Sequence, residues 1–166
     1  MTPTKDCLPI AQVLDTVLRV ERDVAGFYRS AADRTNEDEV KRLFDGLHRV
    51  KQDNHPELEK VCREIECGDR AFENATEKDV HFLSAMAETS FYRQTGKVSE
   101  LADPSLQTPH LLENALKLEK DLLLFYMKFY GMSCSAHRPL FSRLIETSQQ
   151  HIAELNNVAT RLGSRR

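Results

Sequence analysis

The feature that most constrains this sequence is a pattern of eight residues that occurs twice, 98 positions apart. One copy runs from Glu21 to Tyr28 and the other from Glu119 to Tyr126, and both have the form Glu-x-Asp-x-x-x-Phe-Tyr. Apolar residues recur around both copies at the 3.5-residue period of helices that pack along one side. The repeat therefore predicts two long helices that are related to each other.

In both helices a glutamate stands on the apolar stripe. The two stripes consist of Leu14, Leu18, Glu21, Ala25, Tyr28 and Ala32, and of Leu112, Leu116, Glu119, Leu123, Tyr126 and Tyr130. Burying a carboxylate costs several kcal/mol unless a cation or hydrogen-bond donors compensate for the lost water. We therefore expect Glu21 and Glu119 to meet compensating groups in the core. Tyr28 and Tyr126 are expected either to fill the core or to donate hydrogen bonds to the glutamates.

Histidines follow a second pair of similar segments. Leu43-Phe44-x-x-Leu47 precedes His55, and Leu140-Phe141-x-x-Leu144 precedes His151. The stripe of the fourth long helix contains Phe141, Leu144, Ser148, His151, Leu155, Val158 and Leu162, which predicts that His151 faces inward. The stripe of the second contains Val40, Phe44, Leu47, Lys51, Asn54, Leu58, Val61 and Ile65. It runs closer to Asn54 than to His55, so an inward His55 requires a distortion at Pro56.

Two glutamates and two histidines in one helical core are donors suited to iron, manganese or zinc. The candidate metal ligands are Glu21, His55, Glu119 and His151. No catalytic residue can be assigned, and no haem or nucleotide site is indicated.

The turn residues predict an all-α protein, a four-helix bundle with a long crossover connection containing a short helix. The predicted helices span about residues 9–34, 37–66, 77–94, 109–130 and 139–162, in a single domain of residues 1–166. Asn36 with Glu39 and Thr76 with Asp79 are expected to form capping boxes, and Gly68 and Gly96 to end helices. Pro56 predicts a kink or short break. The connection between the second and third long helices is about 40 residues, enough to cross the length of a bundle.

Composition excludes several classes of partner. The net charge is −3, the isoelectric point is about 6.1, and the lysines and arginines form no basic stripe, so nucleic acid is not an expected partner. No segment reaches the ~18 to 20 apolar residues of a membrane span, and the first residues lack the apolar core of a signal peptide. The four cysteines form no Cys-x-x-Cys pair and are expected to be reduced thiols. These features favour a cytoplasmic protein.

With these residues the sequence resembles the ferritin-like superfamily, and within it the rubrerythrin-related proteins, over nearly its whole length. The resemblance implies that Glu21 and Glu119 match the family's single glutamate ligands. His55 and His151 match the histidines of its two Glu-x-x-His motifs. Gln52 and Ser148 stand where that family has the glutamates that bridge two irons. The chain also ends without a cysteine-rich electron-transfer module, so redox activity would need an external electron donor.

Three functions are compatible with this sequence. The first is a metal-binding protein with an altered site that lacks both bridging glutamates, extending to a weak redox role. The second is a metal-free ferritin-like scaffold that acts as a structural or interaction protein, most simply as a homodimer. The third is a di-iron oxidase or peroxidase in which other residues replace the missing ligands.

Overall fold

The protein is all-α. The computed structural model describes residues 7–66, 72–94 and 98–164, and the regular secondary structure in these ranges is helical. The elements are α1 (Cys7–Arg34), α2 (Asp38–Glu66), α3 (Glu77–Thr89), α4 (Phe91–Gln94), a 3-10 helix (Val98–Ala102), α5 (Thr108–Met132) and α6 (Arg138–Gly163). None of the helices described combines the length and apolar character that a membrane span requires.

The four long helices pack as two pairs. Helix α1 packs mainly on α2, and α5 mainly on α6, and each pair is joined by a short loop, at residues 35–37 and 133–137. Further contacts join α1 to α5 and α2 to α6, so the buried apolar side chains of both pairs form one core. This arrangement brings the middle of all four long helices together, which is where the candidate site lies.

Aromatic clusters in both pairs reflect the sequence repeat. In the first pair, the rings of Phe27 and Tyr28 lie 6.2 and 5.9 Å from the ring of Phe44. In the second pair, Phe129 lies 5.5 Å from Phe141, the counterpart of Phe44. Contacts of this kind favour tilted or offset rings and add to the apolar burial. The matching residues Phe44 and Phe141 therefore each contact an aromatic ring of the helix paired with their own, although Phe129 lies outside the repeat.

The two predicted capping boxes have different outcomes. The box between Thr76 and Asp79 is present at the start of α3 and confirms the prediction. The predicted box between Asn36 and Glu39 does not form, so this prediction is wrong. Here the hydroxyl of Thr35 accepts a hydrogen bond from the Glu37 backbone N–H, and the carboxylate of Glu39 pairs with Arg161 of α6 instead.

The predicted break at Pro56 is absent, because α2 continues through the proline. Proline removes the hydrogen bond that would reach the carbonyl four residues earlier, that of Gln52. Gln52 and Pro56 are both exposed, so water can satisfy that carbonyl without interrupting the helix.

The predicted helix at 77–94 is two helices, α3 and α4. Ser90 separates them in an extended conformation, with φ −61° and ψ 150°. Its hydroxyl accepts from the backbone N–H of Arg93, while the Asp121 carboxylate of α5 accepts from that of Tyr92. The break is therefore stabilised by side chains that satisfy the first backbone groups of α4. The helix ends predicted at Gly68 and Gly96 lie outside the described residues.

Tyr130 is exposed by 41%, so its predicted place on the buried stripe of α5 is wrong. A straight α-helix has 3.6 residues per turn and drifts by about 20° per seven residues from a 3.5-residue pattern. At the end of α5 the buried face has therefore moved to Phe125, Phe129 and Met132.

Candidate functional site

Each of the four long helices contributes one polar side chain to a buried cluster at the centre of the core. The cluster, which we call the central cluster, consists of Glu21 of α1, Lys51 of α2, Glu119 of α5 and His151 of α6. None of these residues is more than 4% exposed. Since charged groups are almost never fully buried unless they are paired, the contacts within the cluster determine what the site can do.

Lys51 lies between the two glutamates. Its Nζ donates to Glu21 Oε1 at 3.2 Å and to Glu119 Oε2 at 3.3 Å. Burial lowers the pKa of Lys51, but the charges of Glu119 and Glu21 outweigh this and raise the pKa above its ordinary value. Lys51 is therefore an ammonium ion held by two carboxylates.

Glu119 is the best-supported acid of the cluster. Besides Lys51, it accepts hydrogen bonds from the Tyr28 hydroxyl at 2.5 Å and from His151 Nδ1 at 3.3 Å. A carboxylate accepts, so the proton of that His151 contact is on Nδ1. Burial raises the pKa of Glu119, but Lys51, His151 and Tyr28 together outweigh it and hold the pKa at about 2. Glu119 is thus ionised across the physiological range.

Glu21 is less well supported. Its Oε1 contacts Lys51, but its buried Oε2 has no hydrogen-bond partner among the described residues. Burial raises the pKa of Glu21, and the nearby charge of Glu119 adds to the effect, so that Lys51 only partly offsets it. The two glutamates that match in sequence therefore have opposite pKa shifts, because only Glu119 has three donors.

Three of the four predicted metal ligands lie together in the central cluster: Glu21, Glu119 and His151. His55 is half-buried and donates no hydrogen bond to the cluster. Ser148, which precedes His151 by one turn, is buried, whereas Gln52 is exposed. The expected role of Tyr28 as a donor to a glutamate is confirmed. The hydroxyl of Tyr126, by contrast, is buried with no partner among the described residues.

His55 lies instead on a cavity of about 440 Å³ between α1 and α2. His48, about two turns earlier on the same face of α2, also lines this cavity, and its Nδ1 lies 2.7 Å from the carbonyl oxygen of Ala25. Glu21 and Lys51 lie on the wall of the same cavity. Glu21 and Lys51 therefore belong both to the central cluster and to the wall of this cavity.

The donor set, as arranged, does not fit a divalent metal ion. An ion within the usual 2.0–2.2 Å of either glutamate would lie a few Å from the Lys51 ammonium. At ~4 Å and an effective dielectric of ~20, repulsion between a divalent and a monovalent cation is about 8 kcal/mol. Within the described ranges, no three His, Cys, Asp or Glu side chains are grouped to hold a metal. A metal in this cluster requires Lys51 to move away.

The role of Lys51 was not predicted, although its position in the sequence indicates it. Lys51 stands between Leu47 and Leu58 on the apolar stripe of α2, just as the glutamates stand on theirs. A basic residue on one buried stripe and acidic residues on two others predict an internal ion pair once the helices are packed together.

Comparison of the chain with protein-family models, with curated proteins and with solved structures gave no match.

Proposed function

We propose that this chain is a ferritin-like four-helix bundle that needs no metal, because the Lys51 ammonium acts as its internal cation, and that it serves as a structural or interaction protein. The observation that carries the proposal is the contact of Lys51 Nζ with the Oε1 atoms of both Glu21 and Glu119, each at 3.2 Å. In the ferritin-like proteins that the sequence resembles, carboxylates at such positions hold metal. Here a covalently attached cation faces the same carboxylates. A cytoplasmic location belongs to this proposal.

The metal-binding function is the second candidate, and the grouping of Glu21, Glu119 and His151 favours it. It requires Lys51 to leave the carboxylates and His55 to turn in from the cavity wall. The di-iron alternative needs two additional bridging ligands, and Gln52 and Ser148 provide none. Any redox reaction would depend on an external electron donor.

Protein purified without chelator is expected to contain a metal at well below one equivalent per chain, measured by elemental analysis. Its melting temperature is expected not to change when iron, manganese or zinc is added or when a chelator is present, because the Lys51 ammonium already lies between the two carboxylates and repels a metal ion. A stoichiometric metal that is lost on changing Glu119→Ala, with a melting temperature that rises on metal addition, would establish the metal-binding function instead.

We propose that a second copy of the chain is the first partner. Four large apolar side chains are about half exposed: Phe82 of α3 and Leu124, Met127 and Tyr130 of α5. The three residues of α5 follow one another at three-residue intervals on its exposed side. Phe82 is linked to the same helix through Lys128, whose ammonium lies 5.3 Å from the centre of the Phe82 ring. Exposed methionine and aromatic side chains in one patch are typical of protein interfaces.

Changing Met127→Glu is expected to convert a homodimer to a monomer, because the carboxylate would lose its water in the middle of the apolar patch. Sedimentation equilibrium at several concentrations measures the mass directly. Glu113→Gln on the outer side of α5, whose carboxylate pairs with Lys117, is the matched control and is expected to remain dimeric. A wild-type protein that is monomeric at all concentrations would exclude the homodimer.

A further inference from the structure

The cavity between α1 and α2 has the features of a binding site for a small molecule. Its volume of about 440 Å³ is within the usual range for such sites. Its wall includes Glu21, which is only 2% exposed and whose Oε2 has no hydrogen-bond partner among the described residues. A buried oxygen without a donor costs free energy, and a ligand that supplies the donor would recover it.

The charge of the central cluster defines which group should approach Glu21. When both glutamates are ionised and the His151 imidazole is neutral, the two carboxylates outnumber the one Lys51 ammonium, and the cluster carries an excess charge of −1. Glu119 has three donors, so the excess is concentrated on Glu21. A ligand group with positive charge and several N–H donors fits this position best, and a primary ammonium has both properties.

The imidazole of His48 adds a second acceptor on the same wall. Its Nδ1 lies 2.7 Å from the carbonyl oxygen of Ala25, and a carbonyl can only accept, so Nδ1 carries a proton. In the neutral ring Nε2 is therefore an acceptor. The side-chain oxygen of Gln52, which also lines the cavity, is a third.

The exposed side of the cavity carries a positively charged donor instead of acceptors. Arg22, next to Glu21 on α1, is exposed and lines the cavity. A guanidinium binds a carboxylate through two parallel N–H groups. We propose that the cavity binds a small aminocarboxylate, whose ammonium contacts Glu21, His48 and Gln52 and whose carboxylate contacts Arg22. This proposal rests on one part of the proposed function, the ion pair between Lys51 and the two glutamates. It does not depend on the structural or interaction role.

Lys51 itself is not expected to react with such a ligand. An amine nucleophile must lose its proton, and both carboxylates keep Lys51 as an ammonium. The site is therefore a binding site without a covalent step.

Three probes of equal chain length test the assignment: 4-aminobutyrate, n-butylamine and n-butyrate, titrated into the full-length protein by isothermal calorimetry. We expect saturable binding of 4-aminobutyrate and, about threefold to tenfold weaker, of n-butylamine, which lacks the contact with Arg22. n-Butyrate is expected not to bind. Equal binding of n-butyrate, or no saturable binding of either amine, would overturn the proposal.

Gly26 provides a variant that adds a side chain at the cavity wall and leaves the four residues of the central cluster unchanged. Gly26 lines the cavity, and an added Cβ would meet no atom within 4 Å, so the side chain of Gly26→Leu can start there without a clash. Gly46 of α2 has equally open surroundings and does not line the cavity, which makes Gly46→Leu the matched control. We expect binding of 4-aminobutyrate to weaken at least about tenfold in Gly26→Leu and in Glu21→Gln, and to stay unchanged in Gly46→Leu.

Binding that survives Gly26→Leu would place the ligand elsewhere and overturn the assignment even if Glu21→Gln failed to fold. If the wild-type protein binds no 4-aminobutyrate but its melting temperature is independent of metal, the proposed ligand site is excluded and the proposed function is not. Stoichiometric metal in the purified protein would remove the proposed function first, so the two failures are distinguishable.

Discussion

Replacing Lys51 with methionine is expected to lower the free energy of unfolding by about 3–5 kcal/mol at pH 7. Methionine has nearly the same length but no charge, so Glu119 and Glu21 would remain buried without their ammonium partner. The loss is large because it includes the desolvation of the remaining carboxylates and not only the attraction of the pair. Urea unfolding followed by circular dichroism measures it, provided that the transition is two-state.

Lys60→Met is the matched control on the same helix. Lys60 is 71% exposed and, among the described residues, pairs with Glu64 four positions away, so its replacement is expected to change stability by less than about 0.5 kcal/mol. Combining Lys51→Met with Glu21→Gln and Glu119→Gln removes all three charges together. That variant is expected to recover most of the lost stability, because a buried ion pair contributes little compared with uncharged groups of similar volume. A Lys51→Met protein as stable as the wild type would exclude Lys51 as the internal cation.

Lys51→Ala extends this test to the metal. Removing the side chain leaves space and excess negative charge between the glutamates and His151, which are ligands suited to zinc or manganese. We expect zinc to raise the melting temperature of Lys51→Ala and not that of the wild type, with a stabilisation of about 2.7 kcal/mol at one hundred times its Kd. Zinc stabilisation of the wild type to the same extent would mean that Lys51 does not exclude the ion.

The sequence predicts the helices of this protein better than it predicts its centre. The four long helices follow from apolar periodicity, which depends on residues close together in the chain. The pairing of Lys51 with Glu119 depends on how α2 faces α5, and that relation spans 68 positions. The predicted burial alone indicated that Glu21 and Glu119 need a cation or hydrogen-bond donors to compensate for the lost water. It did not distinguish a bound metal from a lysine on another helix.

The place of His55 shows a second limit of the sequence. An inward His55 required Pro56 to distort α2, and the helix instead continues with both Gln52 and Pro56 exposed. The helical phase that put Lys51 in the core therefore persists and leaves His55 on the cavity wall. The fixed spacing of residues along a continuous helix decides both outcomes.

The opposite pKa shifts of the two glutamates predict opposite effects of neutralising them. Glu119→Gln is expected to lower the free energy of unfolding by about 3 kcal/mol at pH 7, since its pKa changes from the ordinary 4.5 to about 2 on folding. Glu21→Gln is expected to cause no loss at pH 7. Burial raises the pKa of Glu21, so its ionised form is the one that folding disfavours, and glutamine resembles the neutral form.

The contributions of Glu119 and Glu21 to the free energy of unfolding also change with pH in opposite directions. A carboxyl with a lowered pKa stabilises the fold above its unfolded pKa, so the contribution of Glu119 is complete above about pH 4.5 and is lost as the pH falls toward about 2. The contribution of Glu21 is greatest below its unfolded pKa and is lost as the pH rises through its raised folded value. Urea unfolding of both variants and the wild type between about pH 2 and pH 7 separates the two. Equal losses in the two variants at pH 7 would mean that Lys51 supports both carboxylates alike, and that the three donors to Glu119 create no asymmetry.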